Sequence, residues 1–133
     1  MLKNKIRLVT YLRVGGKDQV TIFRRNEELR ELLEKHKEDW EVVDNAFDYG
    51  ISGLKENRPG LNHVLEMCNE NQVDMVVTIN PAMIAKDVLV YKDVYQKIES
   101  KKCALYIRDL HRDNIPKKVF NLNLFPELNI AII

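Results

Sequence analysis

The spacing of apolar residues divides the chain into alternating strands and helices. Ile6 to Val14 (IRLVTYLRV) is rich in β-branched and aromatic residues and predicts a strand, which the Gly15-Gly16 pair ends. From about Val20 to His36 the period becomes helical. Ile22, Leu29, Leu32, Leu33 and His36 share one stripe, while Glu27, Arg30, Glu31 and Lys35 face outward. Trp40 to Phe47 predicts a second strand, and Asp48 to Gly60, with three glycines and a proline, a loop. A helix from about Leu61 to Asn71 turns Leu61, Val64, Leu65 and Cys68 inward. Met75 to Ile79 is almost wholly apolar, as a strand covered on both faces should be, and Pro81 breaks it. A further helix, from about Lys86 to Lys101, is expected to bury Leu89, Val90, Val94, Lys97 and Ile98, with Tyr91 and Tyr95 beside that band. Ala104 to Ile107 predicts a fourth strand.

This β-α-β-α-β-α-β order predicts an α/β fold of three layers: a mostly parallel central sheet with helices on both faces and right-handed crossovers. Residues 1–109 form one such domain. After Asp109 the character changes, with Pro116 and Pro126 separating short apolar fragments (Val119-Phe120, Leu122, Leu124-Phe125, Ile130 to Ile133). The segment 110–133 therefore reads as a divergent tail packed on the same domain.

Composition narrows the class. The chain of 133 residues, 45% hydrophobic with few Gly and Pro, is neither disordered nor fibrous. No apolar run of membrane-spanning length occurs, and the first residues lack the apolar stretch and cleavage site of a signal peptide. Two cysteines, Cys68 and Cys103, are too few for a disulfide scaffold and read as reduced thiols of a cytoplasmic protein. Twenty-one basic residues against 20 acidic ones exclude a generic polycation. The balance is uneven, however: up to Arg25 there are seven Lys and Arg and only Asp18 against them, a patch able to face phosphate.

In an open parallel sheet, chemistry gathers at the carboxyl ends of the strands. Arg13 to Gln19, Asp48 to Arg58, Asn80 to Lys86 and the residues from Arg108 onward fall there. Neither GxGxxG nor GxxxxGK[ST] is present, so the nucleotide-binding fingerprints are missing. Arg13, near the end of an apolar strand, needs an anionic partner, either Asp48 or Asp74 in a structural ion pair or a bound oxyanion. Arg58 precedes a helix, where a guanidinium and backbone N–H groups could together hold phosphate; otherwise it is a solvated loop charge. His36, His63 and His111 are too scattered for a metal site, neither cysteine belongs to a CxxC pair, and no cofactor or small-molecule substrate is expected. His36 reads as a partly buried helix residue and Ser52 as a turn residue.

Taken together, these stretches resemble the catalytic domain of serine recombinases, the resolvase/invertase family. Tyr11-Leu12-Arg13-Val14 followed by Gln19 is similar to that family's opening Y-x-R-V-S-x-x-x-Q signature. Asp48-Tyr49-Gly50-Ile51-Ser52-Gly53, then Arg58-Pro59-Gly60-Leu61, is similar to its D-x-G-x-S-G…R-P-x-L segment, and Val73 to Val77 matches its third strand. The resemblance covers about Ile6 to Asp109 and implies a resolvase-like fold, DNA recombination of the kind found in mobile elements, and DNA as partner.

It also implies that catalysis is lost. In the family, a serine directly after R-V attacks a DNA phosphodiester; here that position is Gly15, which carries no nucleophile. Ala82 and Met83 stand where the resemblance expects an aspartate and an arginine. Lys86 stands for a second arginine, keeping the charge without the planar fork. Of the matched phosphate- or DNA-binding positions, Arg13, Gln19 and Arg58 remain, with Lys86 as a substitute. The expectation is a non-catalytic recombinase homologue, a pseudoenzyme holding DNA weakly and joining a homo-oligomer or a recombinase partner. Two alternatives stand beside it: a protein-interaction or regulatory module that does not bind DNA, and an active recombinase using Thr10 or Ser52 as nucleophile.

Overall fold

A computed structural model describes residues 5–51 and 57–111. Strand β1 (Ile6–Val14) leads into helix α1 (Gln19–Lys35), β2 (Trp40–Tyr49), α2 (Pro59–Asn69), β3 (Met75–Thr78), a one-turn helix α3 (Pro81–Ile84), α4 (Val88–Ser100) and β4 (Ala104–Ile107). The four strands form one parallel sheet in the order β2-β1-β3-β4. The chain steps one way from β1 to β2 and the other way from β2 to β3 and β4. With right-handed crossovers, α1 covers one face while α2 and α4 pack together on the other. This is the expected three-layer α/β architecture. The reversal falls between β1 and β3, the switch point at which an open parallel sheet is expected to leave a crevice beyond the carboxyl ends of its strands.

Physical chemistry at the termini sets the helix limits. Asp18 caps α1, accepting from the Val20 and Thr21 amides, and Asp87 caps α4 through the Leu89 and Val90 amides. β3 and β4 are fully buried, as their apolar runs require. Trp40 stacks on His36 at 4.4 Å and meets the edge of Tyr106 at 5.2 Å. His36, half-buried at the end of α1, is thus the partly buried helix residue expected.

Four local expectations are corrected. β2 runs on to Tyr49, because Asp48 and Tyr49 pair with Arg13 and Val14 of β1 where a loop was expected. Pro81 does end β3, but it also opens α3 at a position where its missing N–H costs nothing, with Asn80 as cap. In α4 the buried stripe is Tyr91, Val94, Tyr95 and Ile98; Leu89 and Val90 are exposed. Lys97 is exposed as well, paired with Asp93 at 3.0 Å.

One irregularity of β2 governs the site. The β1–β2 register shifts between Leu8, opposite Val42, and Val9, opposite Asp44, so Val43 is an extra residue, a bulge in this edge strand. A shift of one residue exchanges the two faces of a strand. Past the bulge, Ala46 and Asp48 lie beside Tyr11 and Arg13. Asn45 is turned to the opposite face, where the buried Thr10 hydroxyl donates to its side-chain oxygen.

Candidate functional site

Alternation along β1 turns Tyr11 and Arg13 to the face covered by α2, beneath the crevice. Both are buried, as are Asp48 of β2 and Arg58 just ahead of α2. The four side chains form one polar cluster inside an apolar shell.

Asp48 is its anionic end. One carboxylate oxygen accepts the Gly60 amide at 2.8 Å; the other accepts the Leu61 amide at 3.0 Å and the Tyr11 hydroxyl at 2.6 Å. Arg58 at the head of α2 makes no side-chain cap, so a carboxylate from the neighbouring strand satisfies those amide donors. Glycine at position 60 is a requirement of this close approach, since a Cβ there would lie 2.4 Å from the Phe47 carbonyl oxygen. Burial, and then the bond to Asp48, raise the Tyr11 hydroxyl well above the ordinary phenol range, so it stays protonated as a donor.

Arg58 is 1% exposed. Its guanidinium donates to the Tyr11 hydroxyl at 2.9 Å, to the Met83 carbonyl at 2.7 Å and to the Ile84 carbonyl, and it lies 5.5 Å from the Tyr11 ring centre. The alternative of a solvated loop charge is therefore overturned. Arg13, 6% exposed, donates to the Ile51 carbonyl at 3.1 Å and to the Ala82 carbonyl. The ion pair with Asp48 or Asp74 is overturned too. Asp48 is occupied as described, and Asp74 binds Arg7 at 2.8 Å. Burial, and then the neighbouring Arg58 cation, draw the Arg13 guanidinium below the ordinary arginine range. Its Nε–H is buried and meets no acceptor among the described residues.

The two arginines thus hold the carbonyls of Ala82, Met83 and Ile84. A four-residue helix has few internal bonds, so these carbonyls would otherwise be orphaned at the negative end of α3. Sequence reasoning missed this arrangement. The signal available was the alternation of Tyr11 and Arg13 on one face; the carbonyl acceptors leave no trace in side-chain identity.

The remaining candidates lie at the rim. Gly15 directly follows β1 and is exposed; a Cβ there would stand 3.8 Å from the Arg13 Nη1, in ordinary contact. Gly50, by contrast, has φ +74°, and its amide donates to the Val14 carbonyl at 2.7 Å and the Gly16 carbonyl at 3.1 Å, closing the loop against β2. Gln19 is exposed at the first position of α1. Ala82 is exposed on α3, but Met83 is buried, its sulfur accepting from the Thr78 hydroxyl at 3.3 Å. Lys86 is exposed between α3 and α4 and makes no ion pair among the described residues. Thr10 is buried on the other face of the sheet. Ser52 and the tail from 112 on lie outside the described residues. Among the described residues no cluster of His, Cys, Asp or Glu could hold a metal ion, and no helix is long and apolar enough to cross a membrane.

The model of the resolvase N-terminal domain matches residues 8–124. The chain belongs to the resolvase family. The fold agrees with solved recombinase domains. The C-terminal catalytic domain of ISC1926 TnpA, an IS607-like serine recombinase, superposes with a TM-score of 0.69 at 19% identity, covering 96% of this chain and 80% of that one. The N-terminal catalytic domain of TP901-1 integrase gives 0.65 at 20% identity, covering 77% and 79%. A resolvase family site-specific recombinase from Streptococcus pneumoniae gives 0.64 at 20% identity, covering 79% and 74%. Comparison with curated protein sequences yields no match. Within the resolvase fold, the position after Arg13-Val14 is Gly15, at the mouth of the crevice beside the Arg13 guanidinium.

Proposed function

We propose that this resolvase-family domain serves DNA recombination without cleaving DNA, holding the phosphate backbone weakly as a non-catalytic partner in a recombinase assembly. The observation that carries this reading is Gly15. Neither a left-handed backbone nor crowding at the Cβ calls for glycine there, since a Cβ would meet only the Arg13 Nη1, at 3.8 Å. A Cβ has room, yet the position carries no hydroxyl, and phosphoryl transfer through a protein–DNA ester needs one. Thr10 offers no substitute, being buried against Asn45 on the opposite face.

Transition-state charge is also poorly served. Arg58 is turned inward onto carbonyls, Met83 belongs to the core, and Ala82 has no charge to offer. Of the matched positions, those exposed to a phosphate are Gln19 and Lys86, while the Arg13 guanidinium is buried against carbonyls. One exposed cation among the matched positions supports only a shallow salt dependence, with a slope of log K against log salt of about −1.

The test is incubation of wild type and Gly15→Ser with supercoiled DNA and with nicked suicide substrates, followed by denaturing electrophoresis for a covalent adduct. Neither protein is expected to form one. An adduct with wild type would refute the non-catalytic reading, and an adduct with Gly15→Ser would show that only the nucleophile is missing. Mobility shifts at low salt should reveal weak binding that Lys86→Ala reduces severalfold. Absence of any shift would remove DNA from the proposal.

A further inference from the structure

The seam between α1 and the edge strand β2 carries aromatic rings that the fold leaves open. By alternation, Phe47 and Tyr49 turn to the face of the sheet covered by α1, opposite Ala46 and Asp48. Their rings stack, with centroids 4.5 Å apart and planes 24° from parallel, yet Phe47 remains 57% exposed. Tyr49 is held in place, because the Asn26 side-chain amide donates to its hydroxyl at 3.0 Å and to the Ile22 carbonyl at 2.8 Å. One turn before Asn26, on the same row of the helix, stands Phe23, 67% exposed. Single exposed apolar residues are ordinary, but a fixed, near-parallel stack with a third ring a helical turn away is a prepared surface.

Cations frame these rings. The Lys17 side chain lies across Gly50, next to Tyr49; a Cβ on that glycine would stand 2.7 Å from the Lys17 Cε. Arg24 adjoins Phe23 in sequence. Both cations are exposed and form no ion pair among the described residues. The carboxylates at this end of α1 are engaged elsewhere: Asp18 caps the helix, Glu27 holds Arg30, and Glu28 holds Arg25 and Arg108. Open aromatic faces thus stand beside positive charge that nothing neutralises. A polyanion with stackable planar groups answers to both. Duplex DNA answers to the charge alone, because its base faces are stacked inside the helix; a single strand exposes them. We infer that the α1–β2 seam binds single-stranded DNA, with bases stacked on Phe47 and Phe23 and phosphates held by Lys17 and Arg24. The inference rests on the DNA reading and deepens it, but through other residues, since none of these four belongs to the cluster of Tyr11, Arg13, Asp48 and Arg58.

Fluorescence anisotropy of a short labelled oligo-dT, titrated with the full chain at low salt, tests it. Phe47→Ala and Phe23→Ala should each weaken binding about five- to 150-fold, the span of one base–aromatic stack. Phe47→Leu, which keeps an apolar side chain without a ring, should weaken binding as well, whereas Phe47→Trp should retain it. An abasic oligomer of the same length should bind more weakly than oligo-dT by a comparable factor. The slope of log K against log salt should be about −1.4, falling to about −0.7 in Lys17→Ala. Phe23 and Phe47 are exposed, so an unchanged Trp40 emission spectrum will verify that the core is intact. No binding at low salt, binding that the phenylalanine changes leave intact, or equal affinity for the abasic oligomer would overturn the stacking site. A dimer in sedimentation that both alanine changes dissociate, with no oligo-dT bound, would assign the surface to a second copy and overturn it too. The Lys86-dependent shift of duplex DNA is expected to survive the Phe23 and Phe47 changes, so loss of one kind of binding without the other tells which reading has failed.

Discussion

Arg58 shows how far one side chain's role can depart from its place in a motif. Matched by sequence to a phosphate-binding position, it joins the Tyr11 hydroxyl to the Met83 and Ile84 carbonyls, while Tyr11 leads on to Asp48 and the amides of α2. A buried guanidinium held this way is worth most when it is removed, because its partners are left without donors. Arg58→Met should therefore lower the free energy of unfolding by about 3–5 kcal/mol, measured by urea denaturation with Trp40 fluorescence. Arg58→Lys should recover only part of that, since one ammonium cannot span three acceptors in fixed directions. A loss under about 1 kcal/mol would place the guanidinium outside the stability of the fold. The motifs marked Arg13 and Arg58 as site residues and offered Asp48 as one candidate partner of Arg13. They did not reveal the actual partners, because backbone carbonyls are supplied by every residue alike.

The elements were legible wherever the apolar period was strong, and less so where a single side chain decides. β1, β3 and β4 stand where their apolar runs place them, because a buried strand needs little else. The start of α4 was set too early, since the Asp87 carboxylate caps at Leu89 and Val90 and fixes the first turn. That cap also turns Leu89 and Val90 outward and the two tyrosines inward, a rotation that amphipathic counting could not resolve. The α1–β2 turn gives an element-scale prediction. Burial beside Trp40 lowers the His36 pKa from its ordinary 6.5, with Asp39 opposing and Lys35 reinforcing the shift. The folded state thus disfavours the imidazolium. His36 contributes its full stability above pH 6.5 and loses it progressively as the pH falls below that value. Thermal midpoints should decline between pH 7 and 5 in wild type, and His36→Phe should flatten that decline. Asp74, lowered from 3.8 by its bond to Arg7, acts in a separate window and loses its contribution only as the pH falls below 3.8.

At the scale of the molecule, one continuous core joins the sheet to the helices on both faces, and both cysteines lie within it at 1% exposure. The Cys68 thiol is held protonated by its neighbour Cys103 and by burial. Neither sulfur should react with a disulfide reagent such as DTNB in the native protein. Their modification rates should rise together with denaturant, tracking the loss of Trp40 packing; prompt labelling of one thiol would expose a local opening of the α2 or β4 side. The clamp of Arg13 and Arg58 on the end of α3 reaches beyond folding. The same two guanidinium groups cannot both hold three carbonyls and follow charge as it develops on a phosphate. Engaging a phosphate through either of them would mean releasing that arginine from the architecture it maintains. On the proposed non-catalytic reading, a variant that frees these guanidinium groups would stand on a less stable scaffold, a cost that adding a serine at position 15 does not offset.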